Sequence, residues 1–138
     1  MINFNYETAL KLESEEQISN WILDTISSED YKLEEINYVF CDDEYLHKLN
    51  VEFLNHDTLT DIISFDYSVG KTIQGDIFIS VERVEDNAKD FGVAFDDELK
   101  RVIIHGVLHY CGYKDKSDTD AKLMREKENH YLSVLSSN

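Results

Sequence analysis

The chain contains no proline, and only five of its 138 residues are glycine. It also shows no internal repeat, no low-complexity segment and no linker between composition blocks. A chain of this length without such boundaries is expected to form one domain, over residues 1–138. Because glycine is so scarce, each glycine predicts a turn.

Long apolar runs are missing as well. No stretch approaches the ~20 residues that cross a bilayer, and the first residues do not show the basic segment and apolar core of a secretory signal. The two cysteines, Cys41 and Cys111, are far apart in the sequence. In a protein without an export signal they are expected to be reduced thiols. These observations predict a cytoplasmic protein without a membrane partner.

Basic residues are few: 13 Lys and Arg stand against 29 Asp and Glu, a net charge of −16. Proteins that grip nucleic acid through its phosphates normally present a basic face. The composition therefore argues against a protein that binds nucleic acid over a broad surface. It is still compatible with a local basic groove, for which the candidates are Arg83, Lys89, Lys100 and Arg101.

Hydrophobic periodicity and turn residues predict interleaved strands and helices. The predicted strands are residues 2–6, at a sheet edge, then 36–40, 61–67 and 77–81, the last two joined through Gly70 and Gly75. Predicted helices are one opened by a capping box at 14–17, a short one capped by Asp42 or Asp43, residues 82–91 before Gly92, residues 97–111 capped by Asp96, and a last one from Ser117. A turn is predicted at 55–57. This pattern predicts an α+β domain with a small mixed sheet of about four strands and about five helices.

The helix predicted at 97–111 is the most informative element. It is apolar almost all round, so it is expected to be central and buried. His105 and His109 are four residues apart and lie on one side of it, one turn above the other. Gly112 ends the helix, and the chain then offers Asp115 as a third possible ligand.

Two histidines and a carboxylate match a zinc site with three protein ligands and an open position, where a bound water becomes acidic enough to act as a nucleophile. Three alternatives stay open: two core histidines without metal, a closed structural zinc site, and Cys111 in place of the carboxylate. On a continuing helix, however, Cys111 faces away from His109. Zinc peptidases of the His-Glu-x-x-His type carry a general base where this chain has Gly106, so peptidase chemistry is not expected.

This segment resembles the YbeY family of bacterial metal-dependent endoribonucleases, which mature ribosomal RNA. Its signature is His-Gly-x-Leu-His-x-x-Gly-Tyr-Asp-His, and the matching residues are His105, Gly106, Leu108, His109, Gly112 and Tyr113. Upstream, residues 49–50, 60–65 and 75–77 resemble the family's Leu-Asn, Thr-Asp-Val-Leu-Ser-Phe and Gly-Asp-Ile elements. The resemblance implies an α+β fold with the metal helix at its centre.

The chain departs from the family pattern at two sites. Asp115 stands where the family has its third histidine ligand, preceded by Lys114 in place of aspartate. Aspartate is a competent zinc ligand, although its charge makes the metal less Lewis-acidic. Leu54 stands where the family has an arginine implicated in catalysis, so a guanidinium for the phosphate is missing there. Lys100, Arg101 or Lys114 are candidate substitutes.

Two further carboxylates, Asp61 and Asp76, are tentative catalytic residues. If their strands end beside the metal helix, each could orient a histidine or act as a base for the attacking water. The alternative is that both serve turns at strand starts.

Together, residues and resemblance predict a single-strand-specific endoribonuclease that hydrolyses phosphodiesters at one zinc ion held by His105, His109 and Asp115. The resemblance implies maturation of the 3′ end of 16S rRNA and ribosome quality control, with single-stranded rRNA and the small ribosomal subunit as partners. No small organic cofactor is expected. The alternatives are a metal-dependent hydrolase of an amide or small phosphoester, and a non-catalytic zinc protein that docks on the ribosome.

Overall fold

The fold is a four-stranded mixed sheet with helices on both faces, in a computed structural model that describes residues 1–54 and 60–136. The strands are β1 (Ile2–Tyr6), β2 (Lys32–Cys41), β3 (Ile62–Asp66) and β4 (Thr72–Ser80). The helices are α1 (Glu15–Ser28), α2 (Asp43–Leu54), α3 (Val81–Phe91), α4 (Phe95–Tyr110) and α5 (Asp118–Ser136). The predicted α+β class, strand number and helix number are confirmed.

The sheet has the strand order β1-β2-β4-β3. β1 and β2 run parallel, as do β2 and β4, while β3 pairs antiparallel with β4. β1 lies at one edge of the sheet, as its short alternating sequence predicts. Alternate residues of β4 point to opposite faces. One row is fully buried and consists of Ile73, Gly75, Ile77 and Ile79.

Helix α4 lies on that buried face and forms the centre of the main core. Its apolar residues are buried as predicted: Leu99, Val102, Ile103, Ile104, Val107, Leu108 and Tyr110. α1 and α5 complete the layer, and the Trp21 indole N–H donates to the Tyr131 carbonyl at 2.8 Å. On the opposite face, α2 covers a smaller cluster built on Cys41, Leu46 and Ile63. Helix α4 is therefore held by packing on several sides.

Two glycines let α4 approach the sheet. A Cβ on Gly106 would stand 2.9 Å from the Cδ1 of Ile77, and one on Gly75 would stand 2.5 Å from the Phe65 carbonyl oxygen. The Tyr110 hydroxyl occupies the space beside Gly75 and donates to the carbonyls of Phe65 and Asp76. Gly75, predicted as part of a turn, is therefore an interior residue of β4, because the strand needs a position without a side chain under Tyr110.

Helix termini follow the sequence prediction only in part. Asp42 caps α2 by accepting from the Tyr45 N–H at 2.8 Å, and Gly92 ends α3 with a φ of +69°. The capping box at residues 14–17 does not form, because Ser14 has a ψ of 50° and its hydroxyl makes no capping bond. Asp96 does not cap α4 either: the helix begins at Phe95, two residues earlier than predicted, after an extended Ala94, and Asp96 pairs with Lys100.

Both cysteines are free, as predicted, and both are buried. Over the described ranges, no helix is long and apolar enough to cross a membrane. The turn predicted at 55–57 lies outside the described residues.

Candidate metal centre

The end of α4 brings the three predicted metal ligands together. Gly112, at φ +96°, allows a Schellman turn in which the Tyr113 N–H donates to the Leu108 carbonyl and the Gly112 N–H to that of His109. The chain then folds back over the last helical turn. As a result the carboxylate of Asp115 lies beside the two histidine rings.

Three donor atoms converge at this point. The Nε2 atoms of His105 and His109 are 2.9 Å apart. The Oδ2 atom of Asp115 lies 3.2 Å from His105 Nε2 and 3.3 Å from His109 Nε2. Ligand atoms around a tetrahedral zinc stand about 3.3 Å apart, given zinc–ligand distances of about 2.0–2.1 Å. The spacing of the three atoms therefore fits one small cation.

The hydrogen bond made by the Nδ1 atom of each histidine determines the tautomer of the ring. His109 Nδ1 lies 3.0 Å from the Tyr113 carbonyl oxygen, which can only accept, so Nδ1 carries the proton. His105 Nδ1 lies 2.6 Å from a carboxylate oxygen of Glu128 and donates to it in the same way. In these neutral tautomers both Nε2 atoms present lone pairs to each other and to Asp115. Such an arrangement calls for a cation between them, and metal-binding histidines usually have this kind of outer partner.

Glu128 is a site residue that the sequence analysis missed. It lies on α5, is 4% exposed, and also accepts from Arg101 Nη1 at 2.9 Å. Burial opposes its charged form, but the hydrogen bonds from His105 and Arg101 outweigh burial and lower the pKa of Glu128. Burial opposes the charged form of His105, but the hydrogen bond to Glu128 and the charges of Glu128, Asp115 and Asp61 outweigh burial and raise the pKa of His105. A signal was available: Glu128 is the charged member of an apolar helical stripe with Met124, Tyr131 and Leu135.

A cavity of about 250 Å³ opens beside His105 and Asp115. Asp61, one of the tentative catalytic residues, lines it, and burial raises the pKa of its carboxyl. Glu98, another residue that the sequence analysis missed, also lines it, and burial raises its pKa as well. The structure therefore brings Asp61 to the cavity of the metal cluster.

Asp76, the other tentative carboxylate, is placed elsewhere. Its neighbours Gly75 and Ile77 face α4, so its side chain points to the opposite face of β4. There it accepts from the Asn37 amide at 3.1 Å. We assign it a part in the sheet rather than in the cavity.

The position of the family arginine is the end of α2, where Leu54 is the last residue of the helix. Of the candidate substitutes, Lys100 pairs with Asp96 at 3.2 Å. Arg101 lines the cavity, but its guanidinium is held by Glu128 and by the Asn129 side chain. A second cation of this cavity, Arg125, lies on α5 and was not predicted.

Comparison with known proteins shows the family of the chain. The family model described as Endoribonuclease YbeY matches residues 2–136. A relative from Flavobacterium johnsoniae named Endoribonuclease YbeY is 67% identical over 135 residues, covering 98% of this chain and 97% of the relative. One of the same name from Bacteroides thetaiotaomicron is 46% identical over 118 residues, covering 86% of each chain.

The fold is similar to the solution structure of TM1509 from Thermotoga maritima. That comparison has a TM-score of 0.72 at 28% identity and covers 98% of this chain and 89% of the other. Sequence and fold thus agree over nearly the whole length, and the chain belongs to the Endoribonuclease YbeY family of RNA-hydrolysing enzymes.

Proposed function

We propose that this enzyme is a single-strand-specific, metal-dependent endoribonuclease that matures the 3′ end of 16S rRNA in the cytoplasm and takes part in ribosome quality control. Residues 1–138 would form one catalytic domain. The observation that carries the proposal is the convergence of His105 Nε2, His109 Nε2 and an Asp115 oxygen within 3.3 Å of one another, beside an open cavity.

In this proposal His105, His109 and Asp115 hold one zinc ion. When bound, zinc supplies Lewis acidity that makes a water nucleophilic near neutral pH and offsets negative charge on phosphoryl oxygens. Glu128 and the Tyr113 carbonyl fix the rings so that both Nε2 atoms face the same point. The Asp61 carboxylate would accept a proton from water in the cavity, a part suited to a carboxyl whose pKa burial raises.

The cavity offers cationic groups to an RNA phosphate in spite of the acidic composition of the chain. Two guanidinium groups, of Arg101 and Arg125, line its wall beside the carboxylates. Contact with the small ribosomal subunit would supply the remaining positioning of the RNA, because the net charge of −16 disfavours non-specific attraction of a polyanion.

The test is cleavage of an RNA that carries the 3′ end of 16S rRNA, offered single-stranded and annealed to its complement, with and without chelator. We expect the single strand to be cut, the duplex to stay intact over the same time, and chelator to stop the reaction. Equal cleavage of the duplex would contradict strand specificity. Hydrolysis of a chromogenic phosphoester without cleavage of any RNA, by protein shown to contain metal, would favour a different hydrolase.

A further inference from the structure

The cavity beside the His105, His109 and Asp115 cluster continues into a neighbouring cavity. A second cavity, of about 600 Å³, adjoins it between α1, α4 and α5, and four residues line both: Phe91, Glu98, Arg101 and Arg125. The two cavities therefore form one groove that runs from His105 toward Lys100. A groove that passes a reactive centre and continues beyond it suits a chain-like ligand better than a small one.

Phe91 is an aromatic ring on the rim of this polar groove. It is the last residue of α3 and is 61% exposed. Its backbone is held by the helix terminus, where Gly92 adopts a left-handed conformation and the Val93 N–H donates to the Ala88 carbonyl at 3.0 Å. An exposed aromatic side chain on a held backbone, beside a cation in a groove, is suited to stacking an unpaired base.

Among the cations that line the groove, Arg125 makes the weakest contacts with other side chains of the protein. Its side chain is 56% exposed, and its ion pair with Glu128 spans 3.7 Å, beyond hydrogen-bond length. By contrast, Arg101 donates at 2.9 Å and 2.8 Å to two side chains, and Lys100 pairs at 3.2 Å. Arg125 can therefore turn to an incoming anion without leaving a buried partner unpaired.

From these placements we propose that Phe91 and Arg125 form a nucleotide subsite beside the metal centre, for one residue of a single-stranded RNA. The base stacks on the Phe91 ring and the adjoining phosphate binds the Arg125 guanidinium. This inference rests on the proposed function and deepens it. Paired bases have no free face to offer Phe91, so the subsite selects single strands.

Other residues of the groove support the placement of the phosphate at Arg125 and of the base at Phe91. Glu98 and Glu128 line it as buried acidic residues, so the phosphate of a bound nucleotide needs a cation that faces it. Arg125 is the most exposed of the groove cations Lys100, Arg101 and Arg125. A guanidinium is suited to this task because its planar fork matches phosphate oxygens.

The experiment measures binding, with zinc-loaded protein and a short single-stranded RNA protected by 2′-O-methyl groups. The RNA carries 2-aminopurine, whose fluorescence falls when it stacks on an aromatic ring. Phe91→Ala should weaken binding by about 10-fold and abolish the fluorescence change, while Phe91→Trp retains both, since stacking is sequence-tolerant and depends on the ring.

Arg125→Ala should weaken binding and lower the slope of log affinity against log salt by about 0.7, the share of one phosphate contact on a single strand, whereas Arg125→Lys keeps the slope.

The matched controls are Tyr67→Ala and Lys48→Ala, an exposed aromatic residue and an exposed cation that do not line the groove. If Phe91→Ala and Arg125→Ala bind RNA as these controls do, while the unchanged protein binds tightly, the subsite is overturned and the proposed function stands. If the unchanged protein neither binds nor cleaves single-stranded RNA, the proposed function is contradicted and the subsite with it.

Discussion

Replacing His109 with alanine is expected to remove the bound metal and lower RNA cleavage by more than about 100-fold. Groups that merely orient a metal ligand are worth 10–100-fold, and His109 contributes one of only three donor atoms of the cluster. The side chain is 31% exposed and is not part of the apolar core. The metal-free forms of the variant and the unchanged protein should therefore unfold at similar temperatures. Metal content by mass spectrometry and initial cleavage rate check the prediction on the same preparations.

His130→Ala is the matched control, because His130 is an exposed histidine of α5 outside the metal cluster. It should keep full metal content and full rate. A His109→Ala protein that retains one metal per chain and half of the activity would contradict the assignment. A variant that fails to fold even when the metal-free unchanged protein is folded would instead indicate a structural role for the histidine.

The second large effect is expected at Glu128. Glu128→Gln keeps the size of the side chain but removes the charge that orients His105 and holds Arg101. We expect zinc affinity to fall by about 10- to 100-fold, the usual effect of removing an outer partner of a ligand. At saturating zinc much of the activity should return, because the three ligands are still present. Zinc titration by calorimetry, followed by rates at low and high zinc, checks both parts.

The change should also alter acid stability of the metal-free protein. Because the pKa of Glu128 is lowered in the folded state, its stabilisation is present above the ordinary glutamate pKa and is lost as pH falls through the lowered value. Glu128→Gln should flatten that acid limb of the unfolding curve. Glu126→Gln, an exposed residue on the same helix, serves as control; equal zinc affinity in the two variants would refute the role of Glu128.

The sequence was sufficient to predict that His105, His109 and Asp115 cluster, because the three residues are local. His105 and His109 are one helical turn apart, and Asp115 follows within a few residues, so periodicity and one glycine turn describe their geometry. The strand and helix types followed from equally local patterns. β2 and β4 extend further than their apolar runs, since pairing in the sheet also orders the polar residues at their ends.

The remaining site residues depend on tertiary contacts. Glu128 is 23 residues from His105 along the chain, and only the packing of α5 on α4 brings them together. Asp61 and Asp76 are alike in sequence, as acidic residues near predicted strand starts. Their different placement follows from strand register: Asp61 just precedes β3, whereas Asp76 lies within β4 between two residues that face α4. Residue type alone does not distinguish those positions.

The measurement that tests the central claim most directly is reconstitution of metal-free protein with zinc, with the cleavage rate on single-stranded RNA recorded against zinc added per chain. The account predicts no cleavage without metal, a rate that rises linearly, and a break at one zinc per chain, with no recovery for His109→Ala. Full activity in the metal-free protein, or equal recovery in the His109→Ala variant, would contradict a catalytic metal held by His105, His109 and Asp115.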